Sequence, residues 1–134
     1  MKKLLTAAFA LVLLAACSKA SDSFSGKEYK LTDASDNAEI TIAFDKDGSR
    51  FYGQSAVNRY FGSYKKDGNK LTLGPIGSNM MAGPENMMKA ESAYLQFLPE
   101  VVSYKLDGKK LVLSDAKGKE LVFEEIGQTP KEAD

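Results

Sequence analysis

The stretch Gly53–Tyr64, GQSAVNRYFGSY, gathers Asn58, Arg59, Tyr60 and Tyr64, and a lone acidic residue, Glu91, follows within an apolar run. An amide, a guanidinium, two phenols and a carboxylate could bind a polar ligand or move a proton. They could equally hold a bent hairpin together. Asn58 tolerates left-handed backbone geometry and bonds its own backbone, and Gly62 permits a bulge or bend. Tyr60 and Tyr64 are an even number of residues apart, so one strand face can hold both. Glu91 is either solvated at the edge of its stripe or buried and paired, because a buried carboxylate without a partner is costly. Arg59 is the candidate partner. The cluster therefore reads mainly as architecture.

Other chemistry is poorly provided for. With no histidine and a single cysteine, Cys17, the chain lacks a His-activated Ser or Cys nucleophile and the usual ligands of a zinc site. Asp45-Lys46-Asp47-Gly48-Ser49 resembles the start of a calcium loop but lacks the later acidic ligands, so it reads as a turn. No phosphate-cradling glycine motif occurs. Paired carboxylates are always available among 18 acidic residues, but their spacing singles out no pair. The expectation is no catalytic residue, no metal and no cofactor.

The N-terminus addresses the compartment. Lys2 and Lys3 precede an apolar run, Leu4–Ala16, of 13 residues, where a membrane-spanning helix needs about 20. A basic start, a short apolar stretch and small residues mark a secretory signal. Leu14-Ala15-Ala16-Cys17 resembles the lipobox of bacterial lipoproteins. That resemblance implies cleavage before Cys17, a diacylglycerol and a third acyl chain on Cys17, and a stable membrane anchor. Ser18, not Asp, follows the cysteine, which in similar lipoproteins implies export to the outer membrane. Loss of residues 1–16 leaves 118 residues with 16 basic and 18 acidic side chains. The mature balance of −2 gives no basic excess for nucleic acid. The expected plan is a signal at 1–16, a lipidated flexible tether at 17–25, one domain at 26–126 and a disordered tail at 127–134.

The domain must position the polar cluster with strands. Ile40, Ile42 and Phe44 alternate, as do Val102, Tyr104 and Leu106, Leu111 with Leu113, and Leu121 with Phe123, which is the signature of half-buried strands. Gly-containing turns lie between them at 45–48, 65–68, 106–109 and 116–119. YKKDGNKLTL (64–73) matches YKLDGKKLVL (104–113) at seven of ten positions, an echo best explained by shared hairpin chemistry. Pro84-Glu85 opens a helix of about 14 residues that closes at Pro99, with Met87, Tyr94, Leu95 and Leu98 on one face. The fold class predicted is mainly β (α+β): a curved antiparallel sheet or half-barrel of about 7–8 strands with one packed helix.

In this order, Asn58, Tyr60, Gly62 and Tyr64, then Ser78 and Met80, then Glu91 on a helix, the features resemble the META domain, the HslJ-like family of small bacterial envelope and secreted proteins. The likeness covers about residues 26–126. Many members carry two cysteines where Val57 and Ala82 stand here. The resemblance implies that these two residues are near neighbours, with Cβ atoms within about 7 Å. A bridge there would close a 26-residue loop, worth about 3.5 kcal/mol, against about 1 kcal/mol for a Val–Ala contact.

The resulting expectation is a non-enzymatic, monomeric lipoprotein facing the periplasm from the outer membrane, a binding or shielding module. The family resemblance implies links to heat shock and antibiotic tolerance. Its membrane contact is the lipid anchor, and an envelope protein is a possible partner. Two rivals are a carrier of a small apolar ligand, favoured only by Met80, Met81, Met87 and Met88, and an inhibitor or adaptor acting on an envelope enzyme through the loop from Gly74 to Pro84.

Overall fold

The computed structural model describes residues 23–129; the signal, Cys17 and the chain beyond Thr129 lie outside them. Nine strands form in chain order: β1 (Lys27–Leu31), β2 (Thr41–Phe44), β3 (Arg50–Gln54), β4 (Arg59–Asp67), β5 (Lys70–Leu73), β6 (Gly77–Ser78), β7 (Val101–Asp107), β8 (Lys110–Asp115) and β9 (Glu120–Gln128). Between β6 and β7 lies α1 (Glu85–Phe97), the one α-helix among the described residues.

Every pairing is antiparallel, and eight strands close on themselves in the order β1-β2-β3-β4-β5-β7-β8-β9. The expected curved sheet of about 7–8 strands is thus present, and it closes into a barrel. Closure leaves β6 as a two-residue appendix on β4, pairing Tyr60 with Ser78. The period of two does what the sequence requires: Ile40, Ile42, Phe44, Leu71, Leu111, Leu113 and Phe123 all point inward and are buried. The two echoed stretches become the hairpins β4–β5 and β7–β8, with Gly68 and Gly108 in the left-handed region at their turns.

Each end of the barrel has its own plug. At the end where the chain enters, Phe24 is fully buried and its ring lies 4.1 Å from Phe44, 5.5 Å from Tyr64 and 4.9 Å from Tyr104. Such aromatic pairs add about 0.5–1.5 kcal/mol each beyond burial. At the other end α1 lies across the opening, with Glu91, Tyr94 and Phe97 buried. Pro99 then ends it, because its ring and missing N–H cannot continue the ladder.

Two boundaries need correction. The tether cannot extend to residue 25, since Phe24 belongs to the core. The tail does not begin at 127: β9 runs through Gln128, and Thr129 bonds Gly26 O and Phe44 O at 2.8 and 2.7 Å. Pairing of β9 with Lys27 and Glu28 of β1 supplies the partners that keep this segment ordered.

Candidate functional site

The polar cluster lies where α1 crosses the barrel mouth. Glu91 is 6 % exposed and turns its carboxylate into the β3–β4 connection. Its Oε1 accepts from Ser55 Oγ (2.9 Å), Val57 N (3.0 Å) and Asn58 N (2.7 Å), and its Oε2 accepts from Asn58 Nδ2 (2.7 Å). Asn58, itself buried, spends the rest of its amide on the loop before α1: Nδ2 donates to Met81 O at 3.1 Å and Oδ1 accepts from Met81 N at 2.8 Å. One side chain thus ties a turn, a loop and a helix.

Burial pushes the Glu91 carboxyl up, but the bonds from the Asn58 side chain and backbone, Ser55 and Val57 outweigh it, so the group stays below the ordinary carboxylate range. It is a buried anion stabilised by neutral donors. A second network sits beneath it: Tyr94 donates to the Tyr60 oxygen at 2.6 Å, and the Tyr60 hydroxyl donates to Thr41 O at 2.7 Å. Burial raises both phenols well above their usual range. No buried side-chain polar atom among the described residues lacks a partner. Nor do three or more His, Cys, Asp or Glu side chains converge there in a metal-binding group.

Several expectations change. Arg59 does not pair with Glu91: among the described residues the ion pairs are Lys27–Glu125 and Lys30–Glu39. Strand alternation is the reason, since Tyr60 points inward and Arg59 must therefore point out. The left-handed residue of the turn is Ala56, at φ 90°, not Asn58. Gly62 makes no bulge; it pairs in register with Phe51, whose ring lies where a Cβ would stand, 2.8 Å away. Tyr64 is inward but belongs to the Phe24 plug at the far end. Met80 is 92 % exposed and outside the cluster, to which its neighbour Met81 contributes only backbone. Residues 81–83 run alongside 57–58, with Val57 packed on Gly83 so closely that a Cβ there would meet Cγ2 at 2.8 Å.

Sequence reasoning missed Ser55, Tyr94's hydroxyl and Gly53. Tyr94 follows Glu91 by three residues and so shares its helix face, which was a usable signal. Gly53 gave none: a Cβ would sit 2.2 Å from Thr41 O, a contact set by the neighbouring strand.

Comparison with known proteins settles the kinship of this arrangement. The model of the META domain matches residues 20–128. The chain belongs to the META-domain family. The META fold of this chain resembles an NMR structure of a protein from Burkholderia xenovorans, with TM-score 0.66 and 24 % identity over 77 % of this chain and 83 % of that one. It also resembles the crystal structure of a DUF4847 family protein from Bacteroides vulgatus, with TM-score 0.55 and 14 % identity over 78 % and 96 % of the two chains. At these identities the likeness concerns the fold. No curated protein matches the sequence significantly.

Proposed function

We propose that this META-domain protein is a non-enzymatic lipoprotein, held by acyl chains on Cys17 at the periplasmic face of the outer membrane. There it acts as a binding or shielding module in envelope stress or antibiotic tolerance. The observation that carries the non-enzymatic part is the state of the polar cluster. Glu91 and Asn58, the groups best suited to chemistry, are buried and spend their hydrogen bonds on the protein itself. The anchor rests on the Leu14–Cys17 motif. Mass spectrometry of the protein from isolated outer membranes tests it: a Cys17 N-terminus carrying a diacylglycerol and an acyl chain is expected. An intact leader or a bare thiol overturns it.

One observation favours the adaptor as the second reading. Met80 and Met81 are 92 % and 62 % exposed, and Phe61, whose ring lies over Gly77 of β6, is 49 % exposed. These side chains form an apolar display beside the Gly74–Pro84 loop. The carrier reading has less support, because Phe24, Tyr29, Phe44, Phe51, Tyr60 and Phe123 fill the barrel axis. Replacing Met80 and Met81 with Ser should abolish capture of an envelope partner if the loop is an adaptor, and leave it intact if it is not.

A further inference from the structure

The echoed stretches bring six exposed lysines to one corner of the barrel. Because β5 pairs with β7, the β4–β5 and β7–β8 hairpins are neighbours. They carry Lys65, Lys66 and Lys70, and Lys105, Lys109 and Lys110, against only Asp67 and Asp107 within the two ten-residue stretches. All six are exposed. None is in an ion pair among the described residues, and Lys66 instead stands 5.8 Å from the centre of the Tyr104 ring.

The up-and-down order of the barrel fixes where this corner lies. The turns at Gly68 and Gly108 share an end with the start of β1 and the finish of β9, the end that Phe24 plugs. The opposite end carries α1 and an acidic rim that includes Asp33, Asp36, Glu39, Glu85 and Glu100. The charge is uneven: the six lysines crowd the first end, beside the β2–β3 turn with Asp45, Lys46 and Asp47, whereas at the other end the acidic rim is accompanied by Lys89, Lys117 and Lys119.

From this asymmetry we propose that the lysine-bearing hairpin end is a membrane-facing surface that docks on anionic phospholipid headgroups. The inference deepens the anchor reading and rests on it for the choice of lipid as occupant. If Cys17 is acylated, the seven residues from it to Phe24 reach at most about 25 Å. The tether joins the barrel at Phe24, at the lysine-bearing end, so that end is the one held nearest the headgroups. Lysines near an anionic surface add attraction that fades within a Debye length. The acidic rim, α1 and the Met80–Met81 display then face the periplasm.

The test uses the mature chain Cys17–Asp134, produced without its leader and so unacylated, which retains every strand and both plugs. Co-sedimentation is measured with vesicles of phosphatidylcholine alone and with vesicles holding about one-third phosphatidylglycerol. Binding to the anionic vesicles is expected at low salt, with loss in 0.5 M salt and none to the neutral vesicles. Each lysine should contribute about fivefold to partitioning, so Lys65→Gln, Lys66→Gln, Lys105→Gln and Lys109→Gln together should abolish binding without shifting Tm. Lys117→Gln with Lys119→Gln, at the acidic end, should leave it unchanged. Equal binding to both vesicles, no binding to either, or indifference to the hairpin substitutions overturns the proposal. Because this chain carries no lipid, these results are independent of the acyl analysis of Cys17, and failure of either reading is visible on its own.

Discussion

Replacing Glu91 with Gln keeps the shape of the side chain and removes its charge, so it isolates what the buried carboxylate does. Three donors, Ser55 Oγ, Val57 N and Asn58 N, converge on Oε1. The Gln oxygen must occupy that place, which leaves its NH2 facing Asn58 Nδ2 across what is now a 2.7 Å hydrogen bond. Asn58 cannot flip to accept it, because Oδ1 and Nδ2 are fixed by Met81 N and Met81 O. The variant loses one charge-assisted bond, weakens three more and sets two donors together, for a cost of about 2–4 kcal/mol. In a domain of this size, that corresponds to a fall in Tm of roughly 10–20 °C. Guanidinium denaturation should show a lower midpoint with an unchanged slope. Glu85→Gln, exposed on the same helix, should move stability by less than about 0.5 kcal/mol. The pH dependence follows from the lowered carboxyl of Glu91. A group whose folded pKa is depressed contributes fully above its unfolded value, near 4.5, and loses that contribution as pH falls through the folded value. The gap between wild type and variant should thus be constant at neutral pH and shrink below about pH 4.5. A variant within 0.5 kcal/mol of wild type at pH 7, or a gap that widens in acid, would refute the role assigned to the carboxylate.

Three other substitutions probe separate supports. Gly53→Ala places a methyl 2.2 Å from Thr41 O and should cost more than about 3 kcal/mol in denaturant unfolding, or prevent folding. Ala56→Gly relieves a backbone held at φ 90° and should raise Tm, by up to about 1 kcal/mol of stability, despite the added freedom of the unfolded chain. Phe24→Ala removes the entrance plug and should cost about 3–5 kcal/mol; a loss below 1 kcal/mol would mean that the fold begins at β1.

How much of this could be read from the sequence depends on how local each cause is. The strands of Ile40–Phe44 and Leu111–Leu113, the turns at Gly68 and Gly108, and the helix between Pro84 and Pro99 rest on periodicity and turn chemistry, and they were legible. Barrel closure was not, because the β1–β9 pairing that completes it and the β5–β7 pairing across α1 join segments that no short window contains. The cluster was legible as a set of residues but not as a set of bonds. Arg59 and Glu91 looked complementary by charge, whereas alternation sends the guanidinium outward and leaves the carboxylate to amides and a hydroxyl. Phe24 sat in a short polar stretch whose composition hid its three ring contacts. The lysine corner lay open in the internal echo, yet only the adjacency of β5 and β7 turns two similar hairpins into one surface.

The pairing of the first strand with the last has a bearing on how the chain acquires its shape. Lys27 meets Gln128, so the final seam joins residues about a hundred positions apart, and such topologies fold slowly because their loops must close before the contacts reward them. A nascent polypeptide that stops short of β9 leaves β1 and β8 as unpaired edges. It can hold local hairpins but no barrel. The barrel can therefore close only once β9 is available to both β1 and β8.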